Sequence, residues 1–311
     1  MNWNPDKIVL REQLPPLEND AFLDSLESRI ESKLSAYRPN PKDFIGEDGY
    51  FEKDINEDLE YVKNLEDTWK KEESGLSSDE RNKRERIKKI ATITEGIMIN
   101  QFSGSWLNTE ENSDYQIIAH PTSKVDDYRV GADVALEIIN KKTETDSHLG
   151  LSIDVTYSSN KEVIQSKLGR IFKEIDRGIQ PSIRYFENDA ETYRGPVDIA
   201  RCVLVLSKDT VADLFKKEHS RDKEGLEKHP IQLSLLAQME EQANVFHKLS
   251  LNKGNNKMAS IYKDVLDNIQ LLKIKKRQDF HEVEVDETTL MNRYDGLKLL
   301  HDSLLEHLLP S

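Results

Sequence analysis

Residues 131–139 read GADVALEII and residues 149–157 read LGLSIDVTY. Both stretches are rich in aliphatic and β-branched residues and are bounded by turn formers, a pattern that predicts β-strands. Each carries one aspartate, Asp133 or Asp154, in a segment that otherwise favours burial. An unpaired carboxylate costs several kcal/mol to bury, so each aspartate needs a partner. The two stretches therefore predict neighbouring strands that bring acidic groups together for a purpose other than packing.

The segments around these strands indicate the fold class. Helical periodicity covers about residues 78–101, where Ser77 and Glu80 have capping-box spacing, and about residues 159–175. Further strands are predicted at 116–119, 182–186 and 202–206, and the last, CVLVL, is apolar enough to be a central strand buried on both faces. This order predicts an α/β fold with a central mixed sheet flanked by helices.

The distribution of charge suggests three regions. Residues 1–76 contain 19 acidic and 10 basic side chains and are predicted to form an acidic, partly disordered helical extension. Residues 77–218 form the predicted α/β core, and residues 229–311 a helical region with amphipathic stripes. Those stripes need a partner helix within the chain or on another subunit, which makes a homodimer through the C-terminal helices one possibility.

Composition excludes several classes of protein. The 311 residues carry a formal net charge of −14, and no apolar run approaches the roughly 18 residues of a membrane span, which argues against a membrane partner. One cysteine, Cys202, permits neither an internal disulfide nor a cysteine zinc site and suggests a cytoplasmic protein. Basic clusters at 81–89 and 273–277 could meet phosphate or could be solvated helix faces.

The alternation of side chains along a strand places Asp133 on one face with Ala135 and Glu137, and Asp154 with Ser152 and Thr156. Adjacent strands could thus bring two or three carboxylates together. Converging carboxylates repel one another unless a cation lies between them, and a hard ion that prefers oxygen ligands fits this setting. The sequence therefore predicts a Mg²⁺ or Mn²⁺ site.

Three further features bear on that site. Lys167 projects into the apolar sector of its helix, where it could orient a water or hold a phosphate, or could simply extend its ammonium group to solvent. Glu95 flanks the apolar stripe of the preceding helix and could approach the cluster or be solvated. The acidic run 126–128 before Asp133 is more simply a solvated turn; alternatively, it contributes to the metal site.

The chain resembles the PD-(D/E)XK nuclease superfamily over about residues 78–206, in the order of its elements and in the positions of Glu95, Asp133 and Asp154. Thr156 stands where the superfamily has lysine, and Lys167 on the next helix is the candidate for a relocated lysine. The resemblance implies a restriction-endonuclease-like fold in which Asp133, Asp154 and the carbonyl group of Val155 bind Mg²⁺. It also implies that Lys167 positions the attacking water.

The expected function is a metal-dependent nuclease that hydrolyses phosphodiester bonds, of DNA rather than RNA, with Glu95, Asp133, Asp154 and Lys167 as catalytic residues. The alternative is a non-catalytic interaction or oligomerisation protein built on a degenerate nuclease fold. The acidic balance of the chain and the threonine at the lysine position favour that alternative.

Overall fold

The computed structural model describes residues 20–103, 115–140, 145–152, 161–188, 193–279 and 295–308. A 3-10 helix spans Pro41–Phe44. The α-helices are α1 (Asp20–Tyr37), α2 (Glu52–Ser74), α3 (Ser78–Ser103), α4 (Lys124–Val130), α5 (Lys161–Arg177), α6 (Lys208–Ser220), α7 (Lys223–Glu227), α8 (Ile231–Asn252), α9 (Asn256–Asp279) and α10 (Asp295–Leu308). The strands are β1 (Tyr115–Pro121), β2 (Val134–Asn140), β3 (Thr145–Ser152), β4 (Ser182–Glu187), β5 (Arg194–Asp198) and β6 (Ala200–Val203).

The strands form two separate groups. In the larger one the order is β1, β2, β3, β6, with antiparallel pairing up to β3 and a short parallel pairing between β3 and β6. Strands β4 and β5 form an antiparallel ribbon of their own. The hairpin β2–β3 keeps a continuous register from Val134 opposite Leu151 to Asn140 opposite Thr145. The first residue of β2 follows Asp133 directly, so the start of this strand positions that aspartate.

Strand β6 lies at the end of the four-stranded group, and its second edge is closed by side chains from helix α8. The side-chain amide of Gln242 accepts from the Val203 N–H and donates to the Val203 carbonyl, both at 2.8 Å. Gln238, one turn earlier, does the same for Val205 at 2.8 and 3.0 Å. Both glutamines are buried. They satisfy backbone groups that would otherwise be buried without partners.

Helices supply most of the apolar core. One continuous cluster of buried side chains extends from Phe22 in α1 to Leu304 in α10 and includes residues of β1, β2 and β6. Helix α3 packs so closely on α1 that a Cβ atom at Gly96 would lie 2.0 Å from the Ile30 side chain. The capping box predicted for α3 is confirmed, because Ser77 N–H donates to the Glu80 carboxylate at 3.0 Å and Ser77 Oγ accepts from Glu80 N–H at 3.3 Å.

The predicted fold class, α/β with a central mixed sheet flanked by helices, is wrong. The described residues are predominantly helical, and the strands are few and short. The run at 202–206 was expected to be a central strand, but β6 ends at Val203 and lies at an edge. Residues Leu204 to Leu206 are buried without being part of a strand. An apolar run predicts burial, and here helix packing provides much of that burial instead of strand neighbours. None of the helices in the described ranges is long and apolar enough to cross a membrane.

Candidate active site

Two hydrogen bonds fix the backbone of Asp133 against the end of β1. The Thr122 N–H and the Thr122 hydroxyl both donate to the Asp133 carbonyl, at 3.1 and 3.2 Å. The same hydroxyl also donates to the carbonyl of Ala132. Thr122 is buried. The backbone that carries the Asp133 side chain is therefore held in place, while the side chain itself is half-buried.

The short helix α4 brings a second aspartate to the same place. Ser123 caps it by accepting from Asp126 N–H at 3.1 Å, and Gly131 ends it with φ +73° and an N–H that donates to the Asp127 carbonyl at 2.7 Å. The chain then turns directly into Asp133. The Asp133 side chain lies close enough to the Asp127 carboxyl to lower its pKa.

Helix α3 contributes Glu95, and the segment after α1 contributes Arg38. The Arg38 Nη2 atom donates to Glu95 Oε1 at 2.6 Å, with about a fifth of each side chain exposed. Burial raises the pKa of the Glu95 carboxyl to about 7; the Asp133 charge adds to that effect, and the Arg38 charge opposes it. Because the charge of Asp133 affects the pKa of Glu95, helix α3 places the Glu95 carboxyl near the two aspartates.

Lys167 on α5 completes this group, which we call the acidic site: Glu95, Asp127 and Asp133 with the cations Arg38 and Lys167. Burial raises the pKa of Asp127 to about 6, and Glu95 reinforces the effect, whereas the hydrogen bond from Asp133 and the charges of Arg38 and Lys167 lower it. Lys167 is half-buried, and its charge is close enough to Asp127 to lower the pKa of that carboxyl.

The predicted residues Glu95, Asp133 and Lys167 all lie in the acidic site. Asp154 and Val155, predicted as metal ligands, and Thr156 lie outside the described residues. Glu137, which shares a strand face with Asp133, is buried against His120, with His120 Nε2 2.9 Å from Glu137 Oε2.

The acidic run at 126–128 divides into separate roles. Asp126 accepts from the backbone N–H groups of Arg184 and Tyr185, at 2.7 and 3.1 Å, and so anchors β4 to α4. Asp127 turns to the acidic site, so the solvated-turn interpretation of this run is wrong. The sequence did contain a signal, because a serine three residues before Asp126 and a glycine at 131 are start and stop signals of a short helix.

Arg38 is the site residue that sequence analysis did not identify. It lies 57 residues before Glu95, after a helix that reads as an ordinary amphipathic one. No local pattern distinguishes an arginine that pairs with a distant carboxylate from one that is solvated.

A buried ion network fixes helix α2 beside the site. Asp58, 2% exposed, accepts from Arg129 Nη2 at 2.6 Å, Arg184 Nη1 at 2.9 Å and the Tyr185 hydroxyl at 2.7 Å. The Tyr50 hydroxyl donates to the Arg184 carbonyl. These contacts join α2, α4 and β4. Helix α2 is thereby tied to the helix that carries Asp127, and we call α2 the wall of the acidic site.

The donor set of the acidic site suits a hard divalent cation. Within the described ranges, no group of three or more histidine, cysteine or carboxylate side chains has the arrangement of a metal site. A Mg²⁺ ion needs fewer, since it is commonly held by one or two carboxylates and keeps several waters. Asp127 and Asp133 offer two neighbouring carboxylates of this kind.

Comparisons with known proteins add no relative. No protein-family model, no curated protein and no solved structure matches the chain.

Proposed function

We propose that this protein is a metal-dependent phosphodiesterase that cleaves DNA at the acidic site. The observation that carries the proposal is the grouping of Asp127 and Asp133 with Glu95 and Lys167, in which Arg38 holds Glu95 at 2.6 Å and Thr122 holds the Asp133 backbone. Carboxylates with raised pKa values next to a lysine, in a half-buried position, are typical of catalytic sites.

Each side chain has a role in the proposed reaction. Asp127 and Asp133 would hold Mg²⁺ or Mn²⁺, which when bound lowers the pKa of water and neutralises charge on the scissile phosphate. Lys167 would orient the attacking water or hold a phosphate oxygen. Glu95, whose pKa is about 7, could accept a proton from that water near neutral pH. Arg38 positions Glu95 and sets its charge.

The resemblance to the PD-(D/E)XK nuclease superfamily remains part of this proposal. It is supported by the convergence of Glu95, Asp133 and Lys167, three residues chosen from their positions along the chain. Asp154 and the Val155 carbonyl would complete the ligand set. The relocation of the lysine from position 156 to Lys167 is supported by the charge that Lys167 directs at Asp127.

The proposed partner is DNA. The proposed location is the cytoplasm, because a reducing compartment keeps a free cysteine such as the buried Cys202 as a thiol. The alternative of an oligomerisation protein draws on the acidic balance, on the threonine at position 156 and on amphipathic C-terminal stripes that need a partner helix. Within the chain, Leu297, Leu300 and Leu304 of α10 are buried in the main core, and α10 packs on α5 and α8. In the part of the chain that the structure describes, these three leucines are therefore covered without a second subunit.

The test is incubation of the purified protein with plasmid DNA and with single-stranded DNA in Mg²⁺, Mn²⁺ or EDTA. We expect metal-dependent cutting by the wild type and a loss of about 100-fold or more in Asp133→Asn, which keeps the shape of the side chain. Asp176→Asn is the matched control, because Asp176 is exposed at the far end of α5 and pairs with Lys253. Cutting that survives in Asp133→Asn, or that does not need metal, would refute the proposal.

A further inference from the structure

Four arginines beside the acidic site share two carboxylates. Asp58 lies between Arg129 and Arg184, at 2.6 and 2.9 Å. Glu174 lies between Arg201 and Arg170, with its Oε1 atom 2.6 Å from Arg201 Nη1 and 3.5 Å from Arg170 Nε. Each of these trios, counted by itself, keeps a net charge of +1. That excess of positive charge is notable in a chain whose formal charge is −14.

Three of the four arginines meet at the turn between the two site aspartates. Arg170 donates to the Arg129 carbonyl, and Arg201 Nη2 lies 3.4 Å from the Gly131 carbonyl. A Cβ atom at Gly131 would lie 2.9 Å from Arg170 Nη1 and 3.3 Å from Arg201 Nη2. Glycine is thus needed here both for its positive φ and for the close approach of two guanidinium groups. The positive charge therefore lies next to the backbone that carries Asp127 and Asp133.

Of the three arginines at this turn, two can be reached from solvent. The Arg129 side chain is 46% exposed and that of Arg170 is 35% exposed, whereas Arg201 is buried. Arg129 lies over the ring of Tyr61, with its Cζ atom 4.8 Å from the ring centroid, and Tyr61 is also exposed. Burial and the nearby Arg201 charge lower the pKa of Arg170, whereas the Glu174 carboxylate raises it.

Helix α5 connects this surface to the acidic site. Lys167 and Arg170 are three residues apart, so they lie on the same helix face with their Cβ atoms about 5–6 Å apart. A nucleic-acid strand carries one negative charge per roughly 3.4 Å of axis. One strand could therefore reach both side chains.

We propose that Arg129 and Arg170, with Tyr61 beside them, form a phosphate subsite that binds the DNA backbone next to the bond cleaved at the acidic site. The subsite rests on the proposed function for its position in a reaction, but its binding of the phosphodiester backbone can be measured without cleavage. The exposed guanidinium groups supply the charge, and the Tyr61 ring offers a face for a neighbouring base.

The experiment measures the binding of a fluorescein-labelled single-stranded DNA oligonucleotide by fluorescence anisotropy at several salt concentrations. All proteins carry Asp133→Asn so that the probe is not cut. We expect Arg170→Gln to raise the Kd about fivefold and to reduce the salt dependence by about one phosphate contact. The matched control is Lys173→Gln, which removes the same charge from an exposed position on α5 and should leave the Kd within about twofold.

A further variant and a comparison of Kd values test the subsite. Arg170→Lys retains the charge and should recover part of the affinity, which a merely structural role for Arg170 would not predict. Equal Kd values for Arg170→Gln and Lys173→Gln would overturn the subsite even if the wild type cuts DNA. Conversely, an absence of metal-dependent cutting by the wild type, with binding that still depends on Arg170, would refute the proposed function and leave the subsite in place. A labelled duplex in parallel shows which form of DNA the subsite prefers.

Discussion

Arg38 donates a 2.6 Å hydrogen bond to Glu95, and this contact links the segment after the first described helix to the acidic site. Its partner carboxyl has a pKa of about 7, because burial outweighs the attraction of the guanidinium group. Arg38 thus keeps Glu95 partly ionised at neutral pH. Without this arginine the carboxyl would stay protonated to higher pH.

Replacement of Arg38 by glutamine should therefore change the pH dependence of cleavage. Loss of a close opposite charge raises a carboxyl pKa by about one unit or more. We expect the acidic limb of the pH–rate profile to move up by about one pH unit. Arg29→Gln is the control, since Arg29 on the preceding helix α1 makes a comparable pair with Glu218 at 3.0 Å. If both variants shift the profile equally, Arg38 has no specific effect on Glu95.

The raised pKa of Glu95 also predicts how stability depends on pH. The Glu95 carboxyl has a pKa of 4.5 in the unfolded chain and about 7 in the folded protein, so the folded state binds more protons between these pH values. The free energy of unfolding therefore falls as pH rises through this window, and in metal-free protein Glu95→Gln removes that fall. The free energy of unfolding of the variant, relative to wild type, should increase by about 2 kcal/mol from pH 5.5 to 7. Urea unfolding with EDTA measures it; a difference that does not change with pH would contradict the shifted pKa.

The pairing of Gln242 with the backbone of Val203 should contribute measurably to stability. Gln242→Leu leaves a buried N–H and a buried carbonyl without their partner, at a cost of about 1–3 kcal/mol each. We expect a loss of about 3 kcal/mol in the free energy of unfolding, measured in urea. The same substitution at the exposed Gln270 of α9 should change stability by less than about 0.5 kcal/mol. Equal effects at both positions would show that the edge of β6 is satisfied in another way.

Removal of the buried Asp58 charge should loosen the wall of the site. Asp58→Asn leaves Arg129 and Arg184 without a counter-ion, although both are partly screened by solvent. We expect a loss of about 2 kcal/mol in the free energy of unfolding, and Asp54→Asn, one turn earlier on α2, serves as the control. Indistinguishable melting curves for the two variants would mean that the network does not hold α2 in place.

The sequence predicted local features well where one short pattern determined them. The capping box of α3, the strands predicted around 116–119 and 132–139 and the helix around Lys167 follow from periodicity and capping residues. The prediction that Glu95, Asp133 and Lys167 form one site came from an aspartate in an apolar strand, a lysine in the apolar sector of a helix and a glutamate at the flank of an apolar stripe. Such residues contradict their local surroundings, which suggests a functional role, and that role stays a prediction.

The remaining features depend on contacts between distant parts of the chain. Gln238 and Gln242 read as ordinary polar positions of a helix, and only the position of α8 beside β6 gives them backbone partners. The fold class was wrong because apolar runs predict burial without showing whether a strand or a helix covers them. Arg38 was missed for the same reason, since its partner is 57 residues away.

Calorimetric titration with Mg²⁺ and Mn²⁺ tests the central claim most directly, because it measures the acidic site without any assumption about substrate. The wild type, Asp133→Asn, Asp127→Asn and the control Asp176→Asn are compared at pH 8, where Glu95 and Asp127 are ionised, and at pH 5.5, where protons compete. We predict one specific site in the wild type and the control, weaker at pH 5.5, and no specific binding in the other two variants. Binding that is the same in all four proteins, or absent from the wild type at pH 8, would contradict the account.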